Sequence, residues 1–194
     1  MTLELKYGNT NTFFIRGSNG GLLVDTDYAG TLPAFYRAIG AQGIRLSDID
    51  YVLATHYHPD HVGLVGELTK QGVTLLLLDR QLPHIHFADG IFARDRRLRY
   101  EPFSADKAHI IKAGESRDFL KGLGIDGEII LTPSHSEDSV SLILDCGECF
   151  VGDLEPFSYL EGYEDNEPLK KDWEQLMKYK PRLIHYAHAK STAL

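Results

Sequence analysis

The chain has 194 residues, a formal net charge of −8 and two cysteines. This length is sufficient for a single domain, residues 1–194, with a buried core. The acidic balance disfavours nucleic acid and anionic membranes as partners, and two cysteines exclude a disulfide framework. The sequence begins without a basic or hydrophobic leader, and its longest apolar run, residues 73–78, is too short to cross a bilayer. We therefore expect a cytoplasmic protein.

The first half of the sequence predicts strands and two helices. Apolar segments bounded by Gly and Asn turns predict antiparallel strands at residues 3–5, 12–15 and 22–25. Helical spacing follows at residues 32–39, which end before Gly40. A β-α-β segment comes next: a strand at residues 51–54, a short helix near residues 63–70 and a strand at residues 73–77.

The second half of the sequence returns to strands. Strands are predicted at residues 109–112, 128–131, 140–144, 150–151 and 182–186. A helix is predicted before the last of these strands, at residues 169–178. Two β-rich halves that each carry helices predict an α/β fold, in which two packed sheets are covered by helices on their outer faces.

A run of candidate metal ligands, Thr-His-Tyr-His-Pro-Asp-His, follows one of the predicted strands. In an extended chain alternate side chains share a face, so His56, His58 and Asp60 can converge where the strand ends. His61 supplies a fourth donor nearby. Pro59 pushes His58 toward extended geometry and suits the first turn of a helix. The alternative, a solvated loop rich in histidine, is disfavoured by this ligand spacing beside an acid.

Three further candidate ligands also follow predicted strands. His135 follows Ile-Ile-Leu-Thr-Pro-Ser, Asp153 follows Phe-Val-Gly, and His188 follows Leu-Ile-His-Tyr-Ala. Four donors in one run suffice for one metal ion, whereas two ions need these additional residues. His185 is close to His188 in sequence, but it lies within the apolar strand, so we favour His188 as the ligand.

Together these motifs resemble those of the metallo-β-lactamase-fold hydrolase superfamily. The likeness rests on the His-x-His-x-Asp-His run, the Thr-Pro-Ser-His segment, the Gly-Asp pair and the late histidine, and it extends from about Thr12 to Lys190. It implies a four-layer αββα sandwich of two mixed β-sheets with helices on the outer faces. It also implies two metal ions, whose ligands are His56, His58 and His135 for one, Asp60, His61 and His188 for the other, and Asp153 between them.

The resemblance implies a hydrolase that acts on a small molecule. A hydroxide shared by two divalent ions, zinc before iron or manganese, would attack an ester, thioester, lactone or phosphodiester bond. Asp60 would orient it or pass a proton to the leaving group. The alternative is an iron oxidoreductase of the same fold, similar to sulfur dioxygenases, with one ion at His56, His135 and Asp153. A binding module without activity is expected to have a broken ligand set, and none is broken here.

The sequence departs from the family pattern at several positions near these ligands. Relatives commonly have Gly at the positions of Asp27 and Ser134, and Pro-Gly at those of Glu137 and Asp138. Because Asp tolerates a left-handed backbone conformation, we expect Asp27 to adopt it and so to preserve the turn after the strand at residues 22–25. Asp25 resembles an acidic residue near the family's site, and both a contact behind the metal ligands and a plain turn role stay open for it.

Two longer irregular stretches, residues 81–106 and 155–169, are expected to form the substrate pocket. Candidate contacts within them are Tyr159, Arg96 and Arg97. The two arginines belong to a basic cluster that predicts either a solvated helix face or recognition of a carboxylate or phosphate.

Two other pairs of metal-binding residue types have plainer interpretations. His84 and His86 repeat the His-x-His spacing without the acid of the first run, so we interpret them as lid or surface residues. Cys146 and Cys149 are interpreted as ordinary buried or half-buried thiols at a hairpin turn, rather than as a redox pair or a structural metal site. The sequence leaves a homo-oligomer open.

Overall fold

Two mixed β-sheets packed face to face form the centre of the fold. The computed structural model describes residues 1–162 and 165–194, apart from the side chains of Arg96 and Glu161. In this part of the chain one sheet has six strands and the other has five. We call them the first and the second sheet.

The first sheet is built from the first half of the chain. Its strands are β1 (Thr2–Leu5), β2 (Thr12–Arg16), β3 (Gly21–Val24), β4 (Tyr51–Leu53), β5 (Thr74–Leu78) and β6 (His109–Ile111). They are neighbours in chain order. The pairs β1–β2 and β2–β3 are antiparallel, whereas β3 to β6 run parallel. The carboxyl ends of β3 to β6 therefore meet at one edge of the sheet, where ligands bind in open α/β sheets.

The second sheet is built from the other half of the chain. Its strands are β7 (Gly127–Leu131), β8 (Val140–Leu144), β9 (Glu148–Phe150), β10 (Leu183–His185) and β11 (Thr192–Ala193). Their spatial order is β11-β10-β9-β8-β7. The pair β9–β10 is parallel, and the other neighbours are antiparallel. A parallel pair needs a long crossover connection, and the chain between β9 and β10 contains a helix for this purpose.

Short helices connect the strands. The α-helices of the described chain are α1 (Leu32–Ala41), α2 (Pro59–Val62), α3 (Val65–Lys70), α4 (Asp89–Phe92), α5 (Ser116–Gly122) and α6 (Glu167–Met177). Short 3-10 turns are found at Leu46–Asp48, Asp79–His84, Arg96–Leu98, Ala105–Lys107, Ala113–Glu115 and Phe157–Glu161. Within the same residues no helix has the length and apolar character needed to span a membrane.

The strands place apolar side chains on both of their faces. In β2, Phe13 and Ile15 pack in a cluster shared with Leu142 and Phe150 of the second sheet. Phe14, between them in sequence, packs instead with Phe35 of α1. This alternation follows from the period of two along a strand. Burying a side chain of this kind stabilises the fold by about 1.5–3 kcal/mol, so both layers contribute to the core.

Helix α6 covers the outer face of the second sheet. Leu169, Trp173 and Leu176 follow one another at helical spacing and pack against Ile143 and Ile184. With α1 and α3 on the first sheet, this completes the order helix, sheet, sheet, helix. The αββα sandwich expected from the sequence is confirmed.

Candidate metal centre

Four candidate ligands lie in the segment that follows β4. His58 has an extended backbone, with φ −72° and ψ 154°, directly before Pro59, the first residue of α2. Because proline disfavours helical geometry in the residue before it, the extended segment ends there and the helix begins. Asp60 and His61 belong to this short helix. The sequence pattern thus sets the order of ligands along the edge of the first sheet.

The other three candidate ligands come from the second sheet, where His135 follows β7, Asp153 follows β9 and His188 follows β10. The approach of the two sheets depends on Gly152. Its φ is 58°, and a Cβ atom on it would lie 2.4 Å from Thr55 Oγ1. Only glycine fits such a close approach with a left-handed backbone. This explains why the residue before Asp153 is a glycine.

The first donor group consists of His56, His58, His135 and Asp153, whose ligand atoms all lie within 4.8 Å of one another. His135 Nε2 lies 3.3 Å from His58 Nδ1 and 3.6 Å from Asp153 Oδ2. His56 Nε2 lies 3.8 Å from the same oxygen. Donors around a tetrahedral zinc ion, with bonds of about 2.0–2.1 Å, are separated by about 3.3 Å. One ion therefore fits between these atoms.

The second donor group consists of Asp60, His61 and His188. His188 Nε2 lies 3.0 Å from Asp60 Oδ2, and His61 Nε2 lies 4.0 Å from that oxygen. Asp153 Oδ1 also faces this group, at 3.4 Å from His61 Nε2 and 3.3 Å from His188 Nε2. Since Asp153 Oδ2 faces the first group, this carboxylate lies between the two.

Unpaired polar atoms show that the donor groups fit a cation. Three buried atoms, His56 Nε2, His61 Nε2 and Asp153 Oδ1, have no hydrogen-bond partner in the described part of the chain. Each such atom costs about 1–3 kcal/mol when it stays unsatisfied, and a bound cation would satisfy all three. Imidazole nitrogens and carboxylate oxygens are also the ligands that zinc, iron and manganese accept. The residues present therefore fit divalent metal ions.

Asp25 lies behind the second donor group. Its Oδ2 is 3.1 Å from His61 Nδ1, and its Oδ1 accepts a hydrogen bond of 2.7 Å from the Thr55 backbone N–H. The Thr55 hydroxyl lies 3.0 and 2.9 Å from the two carboxylate oxygens. Imidazole ligands commonly have a carboxylate on their second nitrogen, which fixes the ring. Of the two roles that the sequence left open, the geometry favours this one.

The electrostatic environment differs among the donors. Burial lowers the pKa of His56, and the neighbouring His61 lowers it further. For His61, burial acts to lower the pKa, but Asp25 and Asp153 raise it to about 10. For Asp60, burial acts to raise the pKa, but the hydrogen bond from His188 brings it down to about 2. The carboxylates of Asp25 and Asp153 thus stabilise positive charge at His61, as they would at a cation bound there.

The sequence model of the Metallo-beta-lactamase superfamily matches residues 5–188. The chain belongs to this superfamily.

Curated relatives match this chain over only part of their own length. The diflavin flavoprotein A 2 of Synechocystis sp. is 30% identical over 71% of this chain and 22% of its own length. The Beta-lactamase-like protein 2 homolog of Drosophila melanogaster is 25% identical over 97% and 60%. The Hydroxyacylglutathione hydrolase of Rhodopseudomonas palustris is 27% identical over 86% and 55%. The chain thus spans between 22% and 60% of these relatives.

Solved structures of superfamily members share the fold. A metallo-beta-lactamase family protein from Thermus thermophilus superimposes with a TM-score of 0.74 over 100% of this chain and 74% of its own, at 19% identity. The metallo-beta-lactamase SMB-1 gives a TM-score of 0.71 over 96% and 76%, at 23% identity. At these identities the likeness concerns the fold.

His185 lies outside both donor groups of this superfamily member. Its ring stacks on Phe150, its Nδ1 is 2.7 Å from the Ser191 hydroxyl, and its Nε2 is 3.4 Å from Glu148 Oε2. The ring is therefore occupied within β10 and its neighbours, as its position in the apolar strand predicts.

His84 and His86 also lie outside the two donor groups found among the described residues. His86 Nδ1 is 2.9 Å from Asp89, and His84 Nε2 is 4.0 Å from Glu137. Both have local acidic neighbours, which agrees with their interpretation as lid or surface residues.

The candidate substrate contacts have different surroundings. Tyr159 is 49% exposed in the turn Phe157–Glu161. Arg97 donates to both oxygens of Asp95, at 2.8 and 2.7 Å. Because this guanidinium already has a carboxylate partner, the geometry favours a solvated surface over substrate recognition. The side chain of Arg96 lies outside the described residues.

Two expectations from the sequence were wrong. The left-handed residue of the turn after β3 is Asp25, with φ 59°, and not Asp27. Asp27 instead accepts hydrogen bonds from the N–H groups of Asn9 and Tyr28, so its carboxylate, not its backbone, holds the turn. Cys146 is exposed, although we expected both cysteines to be buried or half-buried, and Cys149 is buried.

Sequence patterns gave no specific role to three side chains that lie close to the donors. Phe87 is 53% exposed, and its ring centre lies 5.0 Å from that of His58. Gln81 and Asp138 are buried and make hydrogen bonds to the segment that carries His56 and His58. No local motif marks these contacts, because they join segments that are distant in the sequence and meet only in the folded chain.

Proposed function

We propose that this chain is a hydrolase that uses two divalent metal ions, zinc in the first place, to cleave an ester, thioester, lactone or phosphodiester bond of a small molecule. The observation that carries the proposal is the convergence of seven donor residues in two groups with one carboxylate between them. Two such groups at the end of packed sheets are the arrangement that two-metal hydrolysis requires.

The chemistry divides between the ions and the chain. Two divalent ions held by these donor groups would supply Lewis acidity toward a substrate oxygen and a bound water whose pKa is lowered toward about 7, which is a nucleophile at neutral pH. Asp60 is the residue to which we assign proton handling: it orients the nucleophile or passes a proton to the leaving group. Its side chain is 33% exposed, so it is accessible to substrate. His188, 3.0 Å away, holds this carboxylate in place.

The complete second donor group favours hydrolysis over the alternative of an iron oxidoreductase. That alternative needs one ion at His56, His135 and Asp153, and it gives no role to Asp60, His61 and His188. A hydrolase among the relatives, the Hydroxyacylglutathione hydrolase of Rhodopseudomonas palustris, agrees with this choice.

Metal content and a substrate panel test the proposal together. Protein purified without oxygen is analysed for its metals and then assayed with lactones, thioesters, phosphodiesters and aryl sulfates. We expect two zinc ions per chain and turnover of at least one class without oxygen uptake. One iron per chain with oxygen consumption during turnover would contradict the proposal.

A further inference from the structure

A buried hydrogen-bond network connects the ligand segment after β4 to the loop that carries His135. It consists of two side chains outside the donor groups, Gln81 and Asp138. Gln81 follows β5 in the first sheet, and Asp138 lies in the connection between β7 and β8 of the second sheet. Gln81 has 0% and Asp138 has 4% of its surface exposed, so solvent does not compete for their hydrogen bonds.

Asp138 holds the backbone between two candidate ligands. Its Oδ2 accepts a hydrogen bond of 2.7 Å from the N–H of Tyr57, the residue between His56 and His58. Asp138 itself lies three residues after His135. One short stretch of the second sheet thus carries one ligand and fixes the backbone of two others.

Gln81 completes the connection on the side of the first sheet. Its Oε1 accepts a hydrogen bond of 3.1 Å from the Leu78 N–H. Its Nε2 donates to the carbonyl oxygens of Ala54, at 3.0 Å, and Asp138, at 3.1 Å. The Thr55 carbonyl, which lies 3.4 Å from the same nitrogen, also accepts a hydrogen bond of 2.8 Å from the Val140 N–H.

We propose that Gln81 and Asp138 are positioning residues for the first donor group. The three imidazoles of this group come from two different sheets, and a metal ion requires their nitrogens to be held within about 0.5 Å of the productive geometry. The network fixes the segment of His56 and His58 to the loop of His135. The hydrogen bonds of Gln81 and Asp138 go to the backbone of the segment that carries His56 and His58, so we expect the larger effect on the first donor group.

The test uses metal affinity, which does not depend on knowing the substrate. We compare Asp138→Ala with Asp138→Asn, whose amide oxygen can still accept the Tyr57 hydrogen bond. Ser141→Ala is the matched control, because Ser141 is buried in β8 and its hydroxyl bonds the Thr132 hydroxyl at 2.8 Å, not the ligand segment. Affinity for Zn²⁺ is measured by competition with a chelator, and Co²⁺ binding is followed by its visible spectrum.

We expect Asp138→Ala to lose about 10- to 100-fold in affinity for the ion of the first donor group, the size typical when an outer partner of a ligand is removed. Asp138→Asn and Ser141→Ala should stay within about threefold of the parent chain. Equal affinities for Asp138→Ala and Ser141→Ala, or equal losses for Asp138→Ala and Asp138→Asn, would overturn the proposal. Should Asp138→Ala not fold, Gln81→Met removes the other arm at similar volume, and the same loss is expected; an unchanged affinity would then refute it.

Discussion

Asp25 adopts a left-handed backbone, with φ 59°, directly behind the candidate ligands. For a residue with a Cβ atom this conformation costs about 1–2 kcal/mol. Its carboxylate accepts hydrogen bonds from Thr55 and faces His61 Nδ1 at 3.1 Å. A glycine would remove the strain but also the carboxylate. Asp25 therefore keeps a strained backbone, and its carboxylate orients His61.

Two substitutions separate the effect of the backbone strain from that of the carboxylate. Asp25→Gly and Asp25→Ala both remove the carboxylate, but only glycine relieves the backbone. We expect both variants to bind Zn²⁺ about 10- to 100-fold more weakly, and the glycine variant to resist urea better than the alanine variant. Chelator competition and urea unfolding measure the two effects. Parental affinity in Asp25→Gly would show that the carboxylate does not orient His61.

Asp60 is the residue whose replacement separates metal binding from proton transfer. In Asp60→Asn an amide oxygen can still face the cation, but the amide does not take up or release a proton at neutral pH. We expect kcat to fall by about 10²- to 10⁴-fold, the usual contribution of a general acid or base, with unchanged metal content by elemental analysis. Asp48→Asn, at the exposed pair with Arg45, is the control. Near-parental turnover in metal-loaded Asp60→Asn would contradict the proton role.

Sequence patterns predicted the bounds of strands and helices best where one local rule dominates. Strand β8 was predicted with its observed bounds, Val140–Leu144, because it is a short, fully buried run. The helix expected near residues 63–70 is observed as α3, Val65–Lys70, and a separate short helix, α2, precedes it. Helix α5 was not predicted, since its seven residues bury only Ser116 and Leu120 and so give a weak periodic signal.

The candidate site was predictable to a similar degree and for a similar reason. Donors that follow strands can be recognised because strand ends are local features and sheet edges gather them. Gln81 and Asp138 could not be found in this way. Their mutual hydrogen bond joins positions 57 residues apart, and such a contact depends on how the two sheets pack, which no local pattern encodes.

Helix α6 carries a buried carboxylate that reaches the loop of His135. Asp172 Oδ2 accepts a hydrogen bond of 2.8 Å from the Ser134 N–H. Burial raises the pKa of Asp172, and the bond from Ser134 offsets only part of this effect. A carboxyl whose pKa is raised by folding stabilises the folded state below its ordinary pKa of 3.8 and destabilises it once ionised.

Asp172→Asn should therefore stabilise the fold at neutral pH, because the amide oxygen keeps the hydrogen bond without a buried charge. We expect a larger free energy of unfolding than in the parent chain near pH 7.5, and a difference that shrinks as the pH falls toward 4. Urea unfolding over a pH series measures it. Glu174→Gln, on the exposed side of the same helix, should show no such trend. A parent chain more stable than Asp172→Asn at pH 7.5 would show that the charge is favourable there.

The candidate metal centre lies across the junction of the two sheets. One part of the donor set follows β4, and the other part follows β7, β9 and β10. The junction also has contacts that need no metal. Asn11 donates from its backbone to Ala187 at 2.7 Å and from its side chain to Tyr186 at 2.9 Å, and the apolar cluster between the sheets includes Phe13, Leu53 and Leu142.

Removal of metal should therefore loosen this junction without unfolding the chain. Ions that bind only the folded state stabilise it by about 2.7 kcal/mol when their free concentration is 100 times Kd. We expect chelation to lower Tm and to leave the far-UV circular dichroism at 25 °C unchanged, because the core between the sheets stays buried. Re-addition of Zn²⁺ should restore Tm, whereas Mg²⁺, which prefers oxygen ligands, should not. A chain that unfolds on chelation would mean that the packed core alone cannot hold the sheets together, and a chain whose Tm does not change would mean that the donors bind no ion across them.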